Sequence, residues 1–145
     1  ERAMSAAGAP PPRSTLPAMM LAGAIFAVSG SPAAADLDLA GTWARGDGGA
    51  VVRIGRCGAV WCAENTWVAP ERRGSESIGD VLEMRVTPSG PRRLAGTAWD
   101  HRREAGYRMT IDVAADRLKA RGCVLLGLYC IDMTFDRVAG AAATR

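Results

Sequence analysis

The segment YRMTIDVA, residues 107–114, decides the fold class. Tyr107, Met109, Ile111 and Val113 fall on one face of an extended chain, and Arg108, Thr110 and Asp112 on the other. That period of two marks a half-buried β-strand. The same rhythm recurs in YCIDMTFDRV, residues 129–138, with Tyr129, Ile131, Met133 and Phe135 expected inward. Upstream, VLEMRVT (81–87) places Leu82, Met84 and Val86 together, and residues 50–56 carry Val52 and Ile54 after the Gly48–Gly49 turn. WCAENTWV (61–68), RLAGTAW (93–99) and residues 118–122 complete the set; Gly96 inside its strand signals a bend or close packing. Residues 69–80 read as a polar loop. Strands that are polar on one face exclude a buried parallel sheet. Seven or eight short strands without a convincing helix predict an all-β protein, a small antiparallel β-barrel, with a sandwich as the alternative.

Outside these strands, the N-terminal part has a different character. Arg13 precedes an apolar run from Leu16 to Val28; Ser29 to Pro32 break it, and Ala33, Ala34 and Ala35 stand before Asp36. A basic start, a short apolar run and small residues before a cut are the layout of a secretory signal peptide. The run is too short for a membrane span of roughly 20 residues. The organisation expected is a leader over residues 1–35, one β-domain over 36–138 and a soft tail over 139–145. The cleaved chain would have no transmembrane span and would reside in the periplasm or outside the cell. With 145 residues, 48 % hydrophobic and 23 % charged, the chain suits a single folded domain. A net charge of +3 is too balanced for a dedicated nucleic-acid binder, and no nucleic-acid motif is present.

Export would bring Cys57, Cys62, Cys123 and Cys130 into an oxidising compartment, where four cysteines read as disulfides. Of three possible pairings, the local one, Cys57 with Cys62 and Cys123 with Cys130, is favoured, because each pair brackets a short hairpin loop. Long-range pairing is the alternative. The spacings make a poor zinc site and contain no C-x-x-C redox motif, so no metal or cofactor is expected.

The ordered set of short motifs resembles a known family. It comprises Gly41–Thr42–Trp43, Val52–Arg53–Ile54, Cys57–Gly58, Cys62 and Trp67, then the run from Leu118 to Leu125, Gly127–Leu128, Cys130, Thr134–Phe135 and Arg137. The chain is similar over roughly residues 40–138 to DUF2147, small exported bacterial proteins of unknown function. The resemblance implies an envelope-located, lipocalin-like barrel and no agreed activity. Ala63, Met133–Thr134–Phe135 and the DHRREAG segment between Trp99 and Tyr107 depart from the family's usual pattern.

Two readings of function follow, neither enzymatic. In the first, Trp43, Trp67, Trp99, Tyr107 and Tyr129 line a cavity inside the barrel for a small amphipathic or apolar ligand. Arginine pairs at Arg72–Arg73, Arg92–Arg93 and Arg102–Arg103 would then form a basic rim, if their loops share one barrel end. In the second, the core is packed and an envelope protein meets the surface. Trp61, placed inside the Cys57–Cys62 turn, would then be an exposed contact residue, alongside the arginine pairs. Asp100, the sole histidine His101, and Glu104 form the one acid–base cluster. Adjacent strand residues point apart and no nucleophile motif accompanies them, so they read as a solvated loop.

Overall fold

The computed structural model describes residues 37–140; the expected leader and the last five residues of the tail lie outside them. Eight strands follow one another as an antiparallel meander and close into a barrel. They are β1 (Gly41–Arg45), β2 (Ala50–Cys57), β3 (Val60–Val68), β4 (Val81–Pro88), β5 (Arg93–Asp100), β6 (Ala105–Val113), β7 (Arg117–Val124) and β8 (Tyr129–Arg137). The barrel, not the sandwich, is the outcome. No described helix is long and apolar enough to cross a membrane.

Alternation along the strands builds the core. Val52 and Ile54 of β2, Met84 of β4, Leu94 and Ala98 of β5, Met109, Ile111 and Val113 of β6, and Leu118 and Ala120 of β7 are buried together around Trp43. These side chains each keep no more than 9 % of their accessible surface. An eight-stranded barrel is just wide enough for its own side chains to fill it. The interior cavity expected for a ligand is therefore replaced, around these residues, by packed core.

Both mouths are covered. At the mouth where β1 begins and β8 ends, the Trp43 indole N–H donates to the Leu39 carbonyl (3.0 Å). Arg137 lies over the Trp43 ring and Arg56 over the Trp61 ring, at 4.1 and 4.0 Å from the centroids. At the opposite mouth the 69–80 loop folds inward. Arg45, largely buried, binds Glu76 (2.9 Å), while the Asn65 side chain donates to the Ser77 carbonyl.

Trp61 requires a correction. The β2–β3 turn is only Gly58 and Ala59, so Trp61 is the second residue of β3 and not part of the turn. It pairs with Met84, faces inward and is 6 % exposed. Its neighbour Cys62 points outward, and the Cys57–Cys62 and Cys123–Cys130 disulfides both form as local pairs. Opposite faces for adjacent residues account for both outcomes.

Candidate functional site

The chain closes its barrel unevenly. β1 has five residues and β8 has nine, and β1 meets β8 only at Trp43–Arg137, Ala44–Asp136 and Arg45–Phe135. Gly46 adds one more bond, to the Thr134 carbonyl. Residues 129–133 of β8 remain paired to β7 on one side. On the other side, among the described residues, no strand adjoins them. Because Thr134 turns its carbonyl toward this side, alternation turns the N–H and C=O of Asp132 and Cys130 the same way. They form an open sheet edge.

The side chains there are apolar and uncovered. Tyr129 and Ile131 share the parity of the half-buried Met133 and Phe135, yet are 63 % and 51 % exposed. Their expected burial fails because β1 ends before reaching them. The β7–β8 turn, held by the Cys123–Cys130 bridge, adds Leu125, Leu126 and Leu128 at 72 %, 90 % and 87 %. Large exposed apolar residues gathered along a sheet edge and the turn beside it mark contact sites.

The remaining aromatics do not gather in one cavity, contrary to the sequence expectation. Trp43 is core. Trp67 lies opposite Val51 and Trp99 opposite Gly106, both on the outer wall and 43 % exposed. Tyr107 is partly buried against the core. Tyr129 stands at the open edge.

Nor do the arginine pairs form one rim. The Arg72–Arg73 and Arg102–Arg103 loops share the mouth covered by residues 69–80, but Arg92–Arg93 lie at the opposite end, as the meander requires. Most of their guanidinium groups are already engaged. Arg72 binds Asp47 (3.0 Å), Arg102 binds Asp80 (3.1 Å), Arg103 binds Asp100 (2.7 Å) and Arg93 binds Asp112 (2.7 Å). Arg73 and Arg92 donate to the Val68 and Val113 carbonyls. The loops are cross-linked to one another and offer no concentrated positive charge.

Asp100 accepts the backbone N–H groups of Arg102 and Arg103 as well as the Arg103 side chain. Burial alone would raise its pKa, but these donors outweigh burial and hold it below the usual value. Its neighbour His101 is a solvated turn residue whose Nε2 stands 3.4 Å from Glu83. Glu104 adopts a left-handed φ of 49° in the same turn. No group of three or more metal-ligating side chains occurs among the described residues.

Several other carboxylates are lowered in the same way. Hydrogen bonds from Arg93 and Arg121 lower Asp112 and Asp132, and one from Arg85 lowers Glu83. Asp47 is raised by burial, but the Arg45 guanidinium and the Gly49 N–H more than offset this. A carboxylate depressed on folding contributes stability above its unfolded pKa, and that contribution is lost as pH falls through the folded value. The melting temperature should therefore be level from about pH 5 to 8 and decline below about pH 4. Salt should shrink the decline, because most of these pairs are exposed. A melting temperature that is unchanged down to pH 2.5 would show that the pairs contribute nothing.

Residues 41–137 match DUF2147, described as an uncharacterized protein conserved in bacteria. No curated protein and no solved structure matches the chain.

Proposed function

The chain belongs to the DUF2147 family, and on that premise we propose an exported, non-catalytic interaction module that receives a strand of an envelope protein along the open edge of β8. One observation carries this reading: the uncovered edge at Cys130 and Asp132 runs beside the exposed Leu128, Tyr129 and Ile131. Unpaired main-chain groups on an edge are a template for another strand, and alternating side-chain contacts then select it. Natural edges are usually blunted by proline, lysine or a bulge. This stretch has none of these, and its one charged residue, Asp132, is tied to Arg121 at 2.7 Å. Export is supported by the pattern of residues 16–36 and by two disulfides formed within the fold.

A photo-crosslinking residue at position 128 tests the reading in the cell envelope, with position 87 on the outer wall of β4 as the control. A discrete adduct is expected at 128 and not at 87. It should disappear when Ile131→Lys is added, without a change in melting temperature. Adducts from both positions, or from neither, would contradict the proposal.

A further inference from the structure

The outer wall of the barrel is laced with arginine–carboxylate pairs. Arg53 meets Glu64, Arg85 meets Glu83, Arg93 meets Asp112, Arg117 meets Asp136 and Arg121 meets Asp132, all within 2.9 Å. Arg108 of β6 departs from the pattern. Its cross-strand neighbours are Thr97 and Cys123, and among the described residues no carboxylate lies within ion-pairing distance. A solvent-exposed guanidinium without a partner remains free to take an external anion.

Its surroundings are shaped for more than an anion. Arg108 lines an open groove of about 620 Å³ on the outer wall, within the roughly 300–1,000 Å³ of small-molecule sites. On one side stands Trp99, packed beside Gly106, where an added Cβ would come to 3.6 Å of the indole ring. On the other side stand Leu125 and Leu126. Both leucines hold left-handed backbone, with φ of 51° and 58°. That conformation is unfavourable for a leucine; such residues persist only where the surrounding structure holds them, and they cluster at ligand-contacting sites. Glu83 and Arg85 at the rim neutralise each other, with His101 beside Glu83, so Arg108 supplies the net positive charge.

We propose that this groove binds a single-chain fatty carboxylate. The headgroup accepts hydrogen bonds from Arg108, and the first part of the chain lies between the Trp99 ring and the Leu125–Leu126 wall. This is an external site, separate from the filled interior; it borders the β8 edge at the Leu125–Leu126 turn but uses neither Ile131 nor the open main-chain groups of Cys130 and Asp132. Aromatic wall, apolar wall and one unpaired cation are the features that an anionic amphiphile needs, and neither a bare anion nor a neutral lipid would use all three.

The test is titration of the oxidised protein with dodecanoate below its micelle concentration, followed at the indole N–H signals by NMR. Saturable shifts are expected at Trp99 and not at buried Trp43, with a dissociation constant below about 0.5 mM. Arg108→Gln should weaken binding at least about tenfold at an unchanged melting temperature, since a charged hydrogen bond is lost. Acetate should bind at least about a hundredfold more weakly than dodecanoate, and Ile131→Lys should leave dodecanoate binding intact. No saturable shift up to 1 mM of ligand (roughly the weakest affinity worth assigning) would overturn the proposal. So would shifts centred on Trp43, indifference to Arg108→Gln, or equal affinity for acetate.

Discussion

Replacing Trp43 by alanine should destabilise the domain by about 3–5 kcal/mol, the range for emptying a large aromatic from a packed core. Trp43 is fully buried in the barrel core near one mouth and donates its indole N–H to the Leu39 carbonyl. It also carries the stacked Arg137 guanidinium. The substitution removes core volume, leaves the Leu39 carbonyl without its donor and uncovers one mouth. Domains of this size have about 5–15 kcal/mol of stability in total. The melting temperature should therefore fall by at least about 12 °C, or folding should be lost altogether. Trp67→Ala provides the contrast: half-exposed on the outer wall, it should cost under about 1 kcal/mol. Similar losses for both variants, followed by thermal unfolding, would mean that the two tryptophans are not divided between core and surface.

Gly96→Val should be comparably damaging, at about 3 kcal/mol or more. A Cβ at Gly96 would collide with the carbonyl oxygen of Arg85 and approach the Arg85 carbonyl carbon and Val86 Cα to 3.0 and 3.1 Å. These are backbone atoms of the paired strand β4, so no rotamer change relieves the overlap. Strands β4 and β5 would have to separate where Val86 pairs with Gly96. Gly55 on β2 is the control. Nothing lies within 4 Å of its Cβ position, so Gly55→Ala should be neutral or slightly stabilising. A Gly96→Val variant that unfolds within about 0.5 kcal/mol of the parent would refute the close approach.

Local alternation made most of this fold legible. The faces assigned to Leu82, Met84 and Val86 and to Tyr107 through Val113 agree with the structure, and of the bend or close packing expected at Gly96 the structure shows close packing, against the β4 backbone. Both disulfides follow the favoured local pairing. What failed depended on partners distant in sequence. Trp61 was misplaced because the β2–β3 turn is tighter than the cysteine spacing suggests, so its face follows from strand alternation rather than from turn geometry. Tyr129 and Ile131 have the parity of core residues, but their exposure depends on where β1 stops, more than eighty positions earlier. Nothing in YCIDMTFDRV records that. The arginine pairs look like a shared rim in the sequence because their carboxylate partners, Asp47, Asp80 and Asp112 among them, become neighbours only when the strands pair and the loops between them fold together. Arg108 could not be singled out for the same reason: its lack of a partner is a property of the strands beside it.

Residue-resolved amide hydrogen exchange along β8 tests the open edge most directly. The amides of Ile131 and Met133 face β7 and should be protected. Those of Cys130 and Asp132 face the uncovered side and should exchange nearly as fast as in an unfolded chain, while Asp136, opposite Ala44 of β1, should again be slow. Uniform protection from residue 129 to 137 in the isolated protein would mean that the edge is already covered, and the account of β8 as a docking strand would be wrong.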